Sequence, residues 1–172
     1  NETNYYNGNI RGETKHYIVT ELSKRTGIPY AEVNRIIKQW AYSSNDTDYR
    51  SLCLQEDAAE EFGVKLSAWQ EKKIAATKEK TWYPQHNHVL EGYHDDPHGA
   101  ARKVLREMYN MTQEQFRKLG ITHVVLFRGV KNRRAKEAGK TLKWQGNTTE
   151  SWTTSASVAR RFAGTKGIVV AA

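Results

Sequence analysis

A single cysteine, Cys53, serves the whole chain. That excludes an intrachain disulfide and any zinc site built from paired cysteines. Its neighbours in Ser51-Leu52-Cys53-Leu54 mark a buried structural thiol rather than a nucleophile. Proline is nearly as scarce, with three residues, so few positions interrupt a helix. No apolar run approaches the roughly 18 residues of a membrane span, and no signal peptide is recognisable. Acidic residues are in the minority: 19 Asp and Glu against 27 Lys and Arg leave a formal net charge of +8. The surplus favours anionic partners, whether nucleic acid, an anionic cofactor or an acidic protein face. It does not choose among them, and it is equally compatible with a domain that is merely soluble. The first residue is Asn rather than Met, which fits a processed or trimmed piece.

Aromatic residues are what the chain does have. Five Trp, nine Tyr and four Phe can build a core in a chain whose mean hydropathy is only −0.80. The length suits one good-sized domain, or one domain with a helical extension. Residues 1–12 are polar and are expected to be a loose arm. A helical pattern follows from Thr14 to Lys80. Val33, Ile36, Ile37 and Trp40 lie at i, i+3, i+4 and i+7 and define one helix face. Asp48 is placed to cap the next helix, Gly63 to end it and Ser67 to cap another. The stretch 81–95 is expected to be a loop or linker between the helical region 1–80 and a core spanning 96–172. Asp96-Pro97 opens a helix with an apolar side of Ala101, Val104, Leu105 and Met108. Thr112-Gln113-Glu114-Gln115 predicts a fresh capping box and a short helix ending at Gly120. Strands are expected at Ile121–Phe127, Thr149–Thr154 and Gly167–Ala171, with helical turns at Ser157–Ala163. Lys131–Lys143 is strongly basic and is expected to be a solvated excursion. Helices first and short strands afterwards indicate an α+β class rather than a doubly wound sheet.

Two segments of the last third carry chemistry. Leu126-Phe127-Arg128-Gly129-Val130 puts an arginine at the end of an apolar strand. Arg128 can fork onto a pyrophosphate or ribose hydroxyl, and Gly129 lets a ligand amide approach the backbone. Ser151-Trp152-Thr153-Thr154-Ser155 then places three hydroxyls in a row, and Val158-Ala159-Arg160-Arg161-Phe162-Ala163 follows with an aromatic ring. Arginine, hydroxyls and a ring suit a phosphate-bearing ligand with a flat aromatic group.

These segments resemble the mono-ADP-ribosyltransferases of the Arg-Ser-Glu class, most of all the transferase domains of phage head-associated and bacterial toxin proteins. The resemblance spans roughly 96–172. It implies a split-sheet transferase fold and NAD as substrate. It also implies a secreted, translocated or phage-associated protein acting in a cytoplasm on a macromolecular target. Phe127-Arg128-Gly129 matches the first motif, and Thr153-Thr154-Ser155 matches the second with Thr in place of the first Ser. By that resemblance Arg128, Thr153 and Ser155 are the catalytic set. Arg128, Gly129, Thr154 and Phe162 contact NAD, with Phe162 packing on nicotinamide and Gly129 meeting its carboxamide. No metal is implied. The family's catalytic glutamate follows the hydroxyl motif, and no Glu follows Glu150 here. It is therefore expected on a segment beyond Ala172 or on a second chain that completes the domain. Loss of such preorganised charge costs on the order of 10²–10³ in rate, so this piece alone is expected to turn over NAD poorly. The alternatives are a virion-type interaction protein that keeps the fold without turnover, and a DNA-binding module.

The last of these rests on residues 21–40, which resemble a helix-turn-helix with Gly27 at the turn. Tyr30, Asn34, Arg35 and Lys38 would face DNA. A helical hairpin that packs on the transferase domain or docks a partner gives the same pattern. His86, His88, His94, Asp95, Asp96 and His98 are metal-capable types, but their spacing fits no specific site.

Overall fold

The computed structural model describes residues 12–41, 49–76, 96–131, 139, 141 and 148–172. These residues are mostly helical, with one small antiparallel sheet. The order is α1 (Gly12–Thr26), α2 (Tyr30–Ala41), α3 (Tyr49–Phe62), α4 (Ala68–Ala76), α5 (Pro97–Lys118), β1 (Phe127–Val130), α6 (Ala156–Ala163) and β2 (Ile168–Ala171). They divide into two compact units. Unit 1 holds residues up to Gln113 together with Gly146–Thr149, and unit 2 holds Glu114–Gln145 with Glu150–Ala172.

Unit 1 is a helical unit whose core is drawn from α1, α2, α3 and α5. Val19, Leu22, Ile28, Val33, Ile36, Ile37, Cys53, Leu54, Val104 and Leu105 are buried together. Each large aliphatic side chain so placed contributes roughly 1.5–3 kcal/mol relative to exposure. The apolar periodicity of α2 holds for Val33, Ile36 and Ile37, but Trp40, in the last turn, is 40% exposed. Cys53 is buried, as its neighbours suggest. Helix ends follow local chemistry. Gly27 and Gly63 take positive φ after α1 and α3, a conformation that disfavours a Cβ. Ser67 and Gln70 form a reciprocal cap on α4, with Gln70 N donating to Ser67 Oγ and Ser67 N to Gln70 Oε1. Asp48 lies outside the described residues. Asp96 Oδ1 accepts from Gly99 N at 2.9 Å and caps α5 ahead of Pro97.

The capping box expected at Thr112 does not form. α5 runs unbroken to Lys118, because Thr112 Oγ1 turns back to donate to Met108 O at 2.9 Å instead of capping a new helix. The strand expected at Ile121–Phe127 is also displaced. Of that run only Leu126 and Phe127 pair, in a ladder that continues to Val130, while Ile121, Val124 and Val125 are exposed. The strand expected at Thr149–Thr154 reduces to one bridge, at Thr153.

Unit 2 is built on an antiparallel pair. β1 and β2 run in the register Phe127↔Ala171, Arg128↔Val170, Gly129↔Val169 and Val130↔Ile168. Leu126 and Ala172 extend the ladder with reciprocal bonds of 2.9 and 3.0 Å. α6 lies against β1 at Gly129. A Cβ on Gly129 would stand 2.0 Å from Ala159 O and 2.6 Å from Ala163 N, so no other residue permits this approach. Ala159 and Ala163 are the buried residues of α6. No described helix is long and apolar enough to cross a membrane.

Candidate functional site

The ladder alternation decides what β1 offers. Leu126 exchanges bonds with Ala172 on the β2 side. Phe127 exchanges bonds with Thr153 on the other side, 2.7 Å from its own N to Thr153 O and 2.9 Å from Thr153 N to Phe127 O. An antiparallel strand alternates in this way, so Gly129 also turns its N–H and C=O away from β2. Among the described residues no backbone group pairs with either of them.

Side chains alternate too. Phe127 and Thr153, directly opposite, share a face, and Arg128 leaves from the other. The Arg128 guanidinium therefore meets the chain ahead of the hydroxyl run. Nη1 donates to Ser151 O at 2.8 Å, and Nη2 lies 3.3 Å from Glu150 Oε1. The Glu150 side chain is 8% exposed and that of Arg128 18%. Nε of Arg128 is buried with no partner among the described residues. An unmet buried donor costs about 1–3 kcal/mol.

The hydroxyls have local duties. Thr153 Oγ1 accepts from Ser155 N at 3.1 Å. Ser155 is the N-cap of α6: its Oγ accepts from Val158 N at 3.4 Å and lies 2.9 Å from Ser157 Oγ. Thr154 is exposed between them. Phe162 is 58% exposed, yet its Cβ sits beside Gly129, 3.0 Å from where a Cβ on that glycine would stand. The expected site residues thus fall into adjoining contacts: Phe127 with Thr153, Gly129 with Phe162, and Arg128 with Glu150 and Ser151. The guanidinium is not bonded to the hydroxyls of 153–155. Glu150 is the member that spacing alone does not reveal. Its only cue is an acidic residue placed just ahead of the hydroxyl run, opposite in charge to Arg128.

The other candidates lie in unit 1. The segments 12–26 and 30–41 do form two helices joined by Gly27-Ile28-Pro29. Tyr30 and Lys38 are exposed and Asn34 half-buried. Tyr30 Oη bonds His16 Nδ1 at 3.0 Å. Arg35, expected to face DNA, instead grips Glu32, which is fully buried. Lys15 titrates below its ordinary 10.5, first because of burial and second because Lys38 is close by. Of the histidine cluster, His86, His88, His94 and Asp95 lie outside the described residues. His98 Nδ1 pairs with the buried Asp57 at 2.8 Å, and Arg102 Nη1 stands 3.8 Å from the same carboxylate. Among the described residues no three metal-capable side chains converge.

Comparison with known proteins adds no relative: no family model, no curated protein and no solved structure matches the chain.

Proposed function

We propose that unit 2 carries the NAD-contacting part of a mono-ADP-ribosyltransferase, which moves ADP-ribose from NAD to a macromolecular target. The pairing of Phe127 with Thr153 carries this reading, because it sets the aromatic-Arg-Gly strand beside the hydroxyl segment. Gly129 then has an N–H and a C=O turned to the open side of β1, which matches the donor and acceptor of a nicotinamide carboxamide. Phe162, exposed beside it, supplies a ring face for stacking. Arg128, oriented by Ser151 O and Glu150, keeps part of its five-donor fork for a phosphate oxygen. In the transfer the bond between nicotinamide and ribose C1′ breaks and the acceptor's nucleophile bonds to C1′, through an oxocarbenium-like state. The carboxylate that would steady this charge is not among residues 151–172. Slow turnover by residues 1–172 on their own is accordingly part of the proposal.

Titration calorimetry with NAD tests it. Binding near the micromolar range, about −8 kcal/mol, that Arg128→Ala abolishes supports the reading. No heat with NAD would instead favour an interaction protein, and fast NAD hydrolysis by residues 1–172 alone would contradict the assigned roles. A second reading, duplex DNA binding through α1 and α2, is favoured by their three-residue connection. Its contacts would be Tyr30, Asn34 and Lys38, without Arg35. A salt-sensitive gel shift weakened by Lys38→Gln tests it.

A further inference from the structure

Unit 1 also holds a charged groove, separate from α2. A groove of about 360 Å³ is lined by Arg25, Arg102, Lys103 and Arg106, with Glu61 and Glu107 facing them. The arginines are anchored rather than free. Arg106 Nε donates to Glu61 Oε1 at 2.7 Å and its Nη2 to Glu61 O at 2.7 Å. Arg102 Nη1 donates to Glu60 at 2.9 Å, and Arg25 lies 3.7 Å from Glu107. At Arg102 and Arg106 the anchor uses part of a five-donor guanidinium and holds the rest in place, which lowers the entropy lost when an anion binds. Lys103 is exposed and meets no carboxylate among the described residues.

Two rings outside the groove's own lining follow on from Arg106. The Arg106 guanidinium lies 4.5 Å over the Phe62 ring, and Phe62 contacts Tyr109 at 5.8 Å between centroids. Tyr109 is 50% exposed. On α5, Arg102, Arg106 and Tyr109 fall at i, i+4 and i+7, so phosphate-binding groups and a flat ring share one helix stripe. An acidic peptide offers anions but has no use for an open ring. A duplex hides its base faces within its own stack. An unpaired strand offers both a phosphate backbone and exposed bases, and this is the combination that cationic grooves with stacking rings bind.

We infer that this face of unit 1 binds single-stranded nucleic acid, with phosphates along Arg25, Arg102, Lys103 and Arg106 and a base stacked on Tyr109. The test is fluorescence anisotropy of the full chain with a labelled ten-nucleotide oligo-dT, across a salt series. Lys103→Gln and Tyr109→Ala are the variants, with Tyr109→Phe as the conservative partner and circular dichroism to establish that each is folded. Tyr109→Ala should weaken binding about tenfold and Tyr109→Phe should restore it. Lys103→Gln should flatten the log–log salt slope by about 0.7. The inference is overturned if oligo-dT does not bind at about 50 mM salt, or if both variants bind like the parent. It is also overturned if a duplex of equal length or a poly-Glu peptide shows the same dependence on Lys103 and Tyr109, or if thymidine monophosphate competes as well as the strand.

Discussion

Replacing Gly129 by alanine should unseat α6 from β1. The new methyl would fall 2.0 Å from Ala159 O, 2.6 Å from Ala163 N and 3.0 Å from Phe162 Cβ. The first two obstacles are backbone atoms, so no side-chain rotation relieves them. Either α6 or β1 must move by about 1 Å or more to reach ordinary van der Waals separation. Overpacking of this sort costs about 1–3 kcal/mol, and rigid obstacles put Gly129→Ala near the top of that range, about 3 kcal/mol. Native-state hydrogen exchange reads the effect where it arises. The hydrogen-bonded amides of unit 2, among them Leu126, Phe127, Thr153, Ala159 and Ala172, should exchange roughly 100-fold faster. Amides of α1, α2 and α3, in unit 1, serve as the internal reference and should hold their rates. If exchange across β1, β2 and α6 stayed within about threefold of the parent, the close approach at Gly129 would not be holding unit 2 together. The reasoning that assigns this glycine a packing role would then be wrong.

Two further outcomes follow from contacts of the same kind. Ser155→Ala removes the α6 N-cap and should destabilise unit 2 by about 1 kcal/mol, while Ser155→Asp, which can cap, should restore it; denaturant melts decide. Lys15, whose folded pKa lies below 10.5, holds its proton less readily than the unfolded chain does. Its penalty is therefore full at pH below the folded pKa, and stability rises with pH through the window just under 10.5 as that penalty disappears. Lys38→Gln removes the second cause and leaves burial, so the Lys15 titration followed by NMR should move only part of the way back up.

Legibility in the sequence followed the range of the forces involved. The helices of unit 1 were readable because each is specified within its own few residues: the 33, 36, 37 stripe of α2, the Ser67–Gln70 cap and the Asp96-Pro97 entry all act over one turn. α6 was readable for the same reason. Thr112 was misread because a threonine hydroxyl serves equally as a cap or as a bond back to the carbonyl four residues earlier, and the sequence pattern is the same in both cases. The run Ile121–Val125 was misread because strand propensity is satisfied only by a partner, and the ladder on β2 begins at Leu126. Arg35 was assigned to DNA from its position on the helix, but Glu32, three residues earlier and buried, takes it instead.

Arg128 and Gly129 of β1, Thr153 and Phe162 could be picked out from residue type and order alone, as could the net charge of +8 and the single cysteine in its apolar setting. Tertiary structure decided which of them meet. It sent Arg128 to Glu150 and Ser151 rather than to the hydroxyls, and it pressed Gly129 against α6. It also gathered Arg25, from α1, with Arg102, Lys103 and Arg106, from α5, around one groove. The reason is physical. Propensity, capping and side-chain periodicity are local properties of the chain, whereas strand alternation and helix packing depend on partners far away in sequence, and only the folded chain brings those partners within contact distance.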